Sequence, residues 1–444
     1  MRAHRVPVCL LLLASLLVPL ARAACAASLR DFRRLQHLVV IYLENRSFDH
    51  LFGEFRGADG LPGPDRYVPQ TDTSGRVYDV LPVAPGSRLP PDLPNRPFCL
   101  DAYYPPGERM PDLSHAYDDE AGEIHGGRMD RYAALNTQRA TALGYHHTRD
   151  LPLLKWAREY TLCDHFFHGV IGGSMLNHIW LVAAAAPRFE GAPQSVRLQH
   201  DAAGRPTHGG FVTEDEFAVN TCQPFAPPFV KGTPDSVRVP PLDMPTIGDR
   251  LSEAGLPWAW YAGGWNQAVA GQPDSTFQHH HQPFVFFRKY AEGTQARAEH
   301  LKDEEDFVVD LATGRLPAVA FVKPLGLYNE HPGYSDVLTA ERHAVDLLEL
   351  IRKSPQWDST AVVITYDENG GFWDHVPPPQ VDRWGLGVRV PTLVIAPFAK
   401  RHHVEHGTLE TTSILATIER RWGLAPLTAR DAKAEDLSST LELR

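Results

Sequence analysis

The sequence predicts an α/β fold: a single large domain with a central, mostly parallel sheet, helices on both faces and long loop insertions. Three observations carry this. Short apolar runs rich in β-branched residues recur along the chain and end in polar or acidic residues. Segments of helical character lie between them, the alternation that builds a sheet covered on both sides. Hydrophobic residues fill 43 % of the 444 positions, enough for a large core.

Residues 36–43 (QHLVVIYL) read as the first buried strand, and residues 318–322 (AVAFV), 361–366 (AVVITY) and 391–396 (PTLVIA) as three more. Helices are expected at 47–55, 151–160, 177–184, 246–253, 339–353 and 411–422. Residues 56–112 and 187–240 are rich in Pro, Gly and charge and read as irregular insertions. Loops of that length tend to wall or cover a site. No internal repeat or linker divides the chain.

Lys and Arg number 43 against 54 Asp and Glu, a net charge of −11, which argues against a nucleic-acid partner held by bulk charge. Arg2 and Arg5, an apolar run over 8–18 and Ala21-Arg22-Ala23 read as a cleaved export signal over 1–23. The run is too short to span a bilayer, and no later stretch is apolar enough to do so. The signal holds three Arg and no acid, so the remaining 24–444 would carry −14. That segment is expected to be exported, periplasmic or secreted, without stable membrane insertion. It keeps Cys25, Cys99, Cys163 and Cys222. Cys99 and Cys222 sit in Pro-rich loop sequence and are the expected disulfide, with Cys163 a buried thiol.

Four clusters carry chemistry. Glu44-Asn45 follows the first strand and offers two oxygen ligands, although a charged strand-to-helix turn would read the same. Asp367-Glu368-Asn369-Gly370-Gly371 follows the third, and two adjacent carboxylates at a buried strand end call for a cation. Gly172-Gly173-Ser174 opens a helix, where a hydroxyl is either an N-cap or a group held beside a phosphate. The histidines His115, His279-His280-His281 and His331 form the fourth.

These motifs resemble the bacterial phosphoesterase family of exported acid phosphatases and phosphatidylcholine-type phospholipases C. The matching stretches are ENRSFDHLFG (44–53), LPLLKWAREYTLCDHFF (151–167) leading to GGSMLN, HHQPF (280–284), NEHPGYSD (329–336), SPQWDSTAVVITYDENGGFWDHVPPP (354–379) and GVRVPTLVIAPFAK (387–400). They run in family order over nearly the whole chain. The resemblance implies an alkaline phosphatase-like core and a metal-dependent phosphoric ester hydrolase acting through a phosphoserine. It makes Ser174 the nucleophile, with Glu44, Asn45, Ser174, Asp367 and Glu368 holding a divalent cation. It places Asn177, His115 and His331 on the phosphoryl group, with His281 or its neighbour His280, and gives the leaving-group proton to His331 or His281. The substrate would be a small phosphate ester or a phospholipid headgroup.

The sequence also departs from the family. Gly173 and Leu176 replace the two prolines usual in the nucleophile loop, and His178 replaces its arginine. The chain ends soon after 411–424, without the β-rich extensions of many phospholipase C members. That favours an acid phosphatase, with phospholipase C as the alternative and a non-catalytic phosphate- and cation-binding protein as a third reading. Trp258, Trp260, Tyr261 and Trp265 are read as core packing, and otherwise as walls for a choline group.

Overall fold

The computed structural model describes residues 32–63, 66–200, 206–207 and 210–442. The expected export signal and Cys25 lie outside them. Ten strands matter for the site: β1 (His37–Leu43), β2 (Phe98–Cys99), β3 (Gly144–Tyr145), β4 (Thr161–Cys163), β5 (Trp258–Ala262), β6 (Leu301–Asp303), β7 (Val319–Lys323), β8 (Thr360–Tyr366), β9 (Thr392–Ile395) and β10 (His403–Glu405). Eight of them form one sheet in the order β10-β4-β9-β8-β1-β7-β5-β6. Only β9 runs antiparallel to its two neighbours, β8 and β4. The sheet is therefore mostly parallel, as the alternation of runs predicts.

Every residue of β5, β7 and β8 is buried, so both faces of the sheet are covered. That is why β7 and β8 read as unbroken apolar runs rather than alternating ones, while β5 adds a buried strand to those the sequence predicts. Three of the sheet's flanking strands, β4, β6 and β10, have only three residues each, too few to announce themselves by pattern. β5 carries Trp258, Trp260 and Tyr261, all buried, and Trp265 is buried as well. These aromatics pack the core, and none lines a choline pocket.

The helices fall where the sequence places them, with ends set by local chemistry. Helix Thr411–Trp422 has the expected bounds and stops at Gly423, whose φ of +68° continues no helix. Helix Val337–Lys353 starts two residues before expectation because Asp336 caps it, accepting from Thr339 N. The helix expected at 151–160 shortens to Leu154–Glu159, since residues 161–163 peel away into the sheet. Among the described residues, no helix is long and apolar enough to cross a membrane.

The insertions are irregular but not loose. Leu81, Leu100, Met110, Leu113, Tyr132 and their neighbours build a second apolar cluster around Phe372 and Trp373. That cluster seats the segment following Asp367-Glu368. The expected Cys99–Cys222 disulfide is not formed: Cys99, Cys163 and Cys222 are free. Cys222 is buried with its Sγ 3.1 Å from Met175 Sδ, while Cys99 lies in β2 beside β3. Two Pro-rich contexts gave no information on proximity. Cys163 is the buried thiol expected.

A buried ion cluster ties the chain behind the two acidic loops together. Arg389 Nε donates to Asp374 Oδ1 at 2.8 Å, and its Nη2 donates to Asp49 Oδ1 at 3.2 Å. All three side chains are almost wholly buried. Removing the guanidinium strands two carboxylates in the interior. Arg389→Leu is therefore expected to cost about 3–5 kcal/mol, measured by urea unfolding. A loss under about 1 kcal/mol would show that these charges do not hold the loops.

Candidate active site

Strands β1 and β8 lie side by side in parallel, with Leu43 opposite Tyr366. The residues that leave them, Glu44-Asn45 and Asp367-Glu368, therefore emerge together at the carboxyl edge of the sheet, where active groups gather in such folds. Backbone bonds lock the pair: Asn45 N donates to Asp367 Oδ1 at 3.1 Å, and Arg46 N to Glu368 O at 3.1 Å. The turn after Glu368 passes so close that a Cβ on Gly370 would sit 2.4 Å from Asn45 O. Gly370 and its neighbour Gly371 also have φ of +63° and +72°, so glycine is required at both.

Ser174 is the first residue of helix Ser174–Ala183, and Gly173 occupies the cap position. Its hydroxyl is thus not a cap. It donates to Asn45 Oδ1 at 3.2 Å and Glu368 Oε1 at 3.3 Å. Ser174, Asn45, Asp367 and Glu368 converge as expected. Asn177 does something different from the expected substrate contact. Its Nδ2 donates to the carbonyls of Val170, Gly172 and Gly173 at 3.2, 2.6 and 3.3 Å. Val170 N donates back to its Oδ1. These bonds make the side chain a staple of the serine loop. Behind it, Glu120 Oε2 accepts from Gly172 N, and Glu120 Oε1 lies 3.0 Å from His168 Nε2. These bonds supply the rigidity that the two missing prolines would have given.

Glu44 faces away from Ser174, into a second half of the site. Its Oε1 is 2.5 Å from His281 Nε2 and 3.0 Å from Lys323 Nζ. Its Oε2 accepts from Asn329 Nδ2 at 2.5 Å and Tyr334 OH at 3.2 Å. Of the histidine pair, His281 makes the contact with Glu44. His280 packs edge-on against His281 and His178, at 4.8 and 5.7 Å between ring centres. Lys323 was not anticipated. It closes β7, is fully buried, and enters because Ile41 of β1 pairs with Val322. A single charge ending an apolar run, VAFVK, was its only signal. His115 and His331 stand at the mouth with rings 5.5 Å apart, and His115 Nε2 is 3.4 Å from Asn45 Nδ2.

Charge separates the two halves. Burial and the neighbouring Glu44 push the Asp367 carboxyl up to about 6. Burial and Asp367 push Glu368 up well above the usual range. Burial would raise Glu44 too, but His281 and Lys323 outweigh it and hold it well below. Burial drives His281 itself down to about 4. His331 is likewise lowered, mainly by burial.

Asp367 and Glu368 lack such a cation of their own. Asp367 Oδ2 is buried without a hydrogen-bond partner, and the nearest ring nitrogen, His178 Nδ1, is 3.6 Å away. An all-oxygen set with an orphaned carboxylate oxygen fits a hard divalent cation. Glu44, Asp367 and His178 also have ligand atoms within 4.8 Å of one another, so Glu44 remains within reach of the same ion.

A serine hydroxyl thus stands among carboxylates at the carboxyl edge of a mostly parallel sheet. Residues 35–425 match the Phosphoesterase family, and the chain belongs to that family. It is 24 % identical over 440 residues to the non-hemolytic phospholipase C of Pseudomonas aeruginosa, covering 89 % of this chain and 55 % of that protein. The chain thus spans about half the length of that relative. It is 28 % identical over 459 residues to phospholipase C B of Mycobacterium tuberculosis, covering 94 % and 78 %. Among solved structures it resembles the phosphonate monoester hydrolase of Agrobacterium radiobacter, with a TM-score of 0.38 and 10 % identity over 92 % of this chain and 77 % of that one. A member of the alkaline phosphatase superfamily from Vibrio parahaemolyticus gives 0.37 and 12 %, covering 76 % and 74 %.

Two outcomes follow. Asn177→Ala is expected to release the serine loop, lowering kcat about 100-fold and stability by about 1–3 kcal/mol as buried backbone groups lose their partner, read by steady-state kinetics and thermal unfolding together. Unchanged kcat would remove the staple from the account. A protonated carboxyl cannot ligate, so affinity for a divalent cation should fall as pH drops through about 6, the range to which Asp367 is raised. Equilibrium dialysis checks this, and an affinity that stays flat from pH 8 to about 5 would contradict it.

Proposed function

We propose that the protein is a phospholipase C-type phosphodiesterase that cleaves esters carrying a cationic headgroup. The observation that carries this is the cavity beside Ser174. It has a volume of about 530 Å³ and is lined by Asp112, His115, Asp118, Asp119, Gly173 and Phe211, among others. Three carboxylates around the mouth suit a substrate that brings positive charge and oppose a free phosphate dianion. The names of the matched relatives support the same reading. It replaces the expectation of a compact acid phosphatase, which rested on where the chain ends.

When bound, a divalent cation held by Asn45, Ser174, Asp367 and Glu368, with Glu44 beside them, would polarise a phosphoryl oxygen and lower the serine pKa. Ser174 Oγ, oriented by Asn45 and Glu368, gives up its proton to solvent and attacks phosphorus, forming a phosphoserine ester as the bond from phosphorus to the alcohol oxygen breaks. The departing alcohol takes its proton from Nε2 of the doubly protonated His331, a form favoured at acidic pH, while the Nδ1–H stays held 2.5 Å from Pro332 O. Water then hydrolyses the ester. Lys323 keeps Glu44 ionised and in place throughout.

The direct test compares p-nitrophenylphosphorylcholine with p-nitrophenyl phosphate. The diester is expected to win by at least about tenfold in kcat/KM, and Asp118→Asn should narrow that gap. A preference for the monoester would return the protein to the phosphatases. Ser174→Ala should lose several orders of magnitude in kcat on either substrate, and retention of a tenth of the activity would remove Ser174 from the mechanism.

A further inference from the structure

A second cluster of ligand atoms lies outside the active site, at the joint between the first insertion and the core. β2 and β3 pair in parallel with Cys99 opposite Tyr145, and Leu100 N donates to Tyr145 O at 2.8 Å. Two residues further along each strand direction come Asp101 and His147, which this register sets side by side. His147 N donates to Asp101 Oδ2 at 3.3 Å. The Cys99 thiol, an Asp101 carboxylate oxygen and a His147 ring nitrogen lie within 4.8 Å of one another. Glu54 adds a fourth group, its Oε2 3.0 Å from His147 Nδ1.

The other mixed clusters are already accounted for. Arg389 fills the space among Asp49, Asp374 and His375. Asp112, His115 and His331 belong to the mouth of the active site. Among the described residues, no arginine or lysine pairs with Asp101 or Glu54, whose ion-pair partners are His146 and His147. Burial and the Asp101 and Glu54 carboxylates push the Cys99 thiol up, as they would in a pocket that lacks a cation. All three ligand groups are half-buried, so an ion can enter from solvent.

We propose that Cys99, Asp101 and His147, with Glu54 against the imidazole, form a second cation site that takes a borderline divalent ion of the zinc class. Sulfur, nitrogen and oxygen together select zinc over the hard cations suited to the all-oxygen active site. A tetrahedral ion needs its sulfur and nitrogen ligands about 3.5 Å apart, which modest side-chain torsion achieves from the present spacing. On binding, the Sγ–H proton leaves to solvent as the sulfur–metal bond forms. A carboxylate on the ligating imidazole fixes its orientation, the arrangement that supports metal affinity elsewhere. His146 links this joint to the catalytic loop: its N donates to His50 O at 2.8 Å, six residues beyond Glu44.

The test uses the intact protein with its active-site cation supplied, titrated with Co²⁺ and then with Zn²⁺. Binding of Co²⁺ should produce a thiolate-to-metal charge-transfer band that one equivalent saturates and Zn²⁺ abolishes. Cys99→Ser should lose the band, and His147→Ala should weaken Co²⁺ at least about tenfold, both with wild-type circular dichroism. Hydrolysis by Cys99→Ser should stay within about twofold of wild type. No band in the wild-type protein, or a band that persists in Cys99→Ser, overturns the proposal. If Cys99→Ser does not fold, full-strength Co²⁺ binding by His147→Ala does the same.

Discussion

Three buried carboxylates meet where two parallel strands end, and the remaining architecture of the site answers that one constraint. Parallel register between β1 and β8 forces the meeting, because the residues after Leu43 and Tyr366 have nowhere else to go. Such a group is costly to ionise in the interior unless positive charge is brought to it. The protein divides the problem. Lys323 lies 3.0 Å from Glu44, with His281 beside it as a hydrogen-bond partner, and Asp367 Oδ2 keeps no hydrogen-bond partner. The second strand neighbour of β1 supplies the lysine, so both flanks of one central strand build the site.

Precision comes from the layers behind. Gly370 allows the two acidic loops to touch backbone to backbone, Gly371 lets Ser114 O approach behind them, and Arg389 pins the segments that follow. The serine loop is held from the other side by Asn177, His168 and Glu120. A buried lysine near His178 returns a positive charge to the region from which the loop arginine is missing. His178 feels it directly, since burial and then Lys323 hold its imidazole well below the usual range.

The sheet edge and the acidic wall have separate tasks. At the edge, oxygen ligands and a hydroxyl are set for chemistry at phosphorus. Along the wall, Asp112, Asp118 and Asp119 shape the field that an approaching substrate meets. A chain of net charge −11 repels anions at long range, so the wall sharpens a bias already present in the composition.

Much of this was legible in the sequence, for a physical reason. A strand buried on both faces must be a continuous apolar run, so β1, β7, β8 and β9 announced themselves, and polar residues closing such runs marked the site. Ser174, Asn45, Asp367 and Glu368 could be picked out because each sits at the junction between two kinds of pattern. Local sequence determined those elements and the chemical types at their ends. Only the tertiary structure decided which ends adjoin. Strand order placed Lys323 beside Glu44, and packing turned Asn177 inward onto its own loop. It also left Cys99 and Cys222 unpaired, each in its own surroundings. Proximity between distant segments depends on register and packing, and no stretch of sequence carries that information by itself.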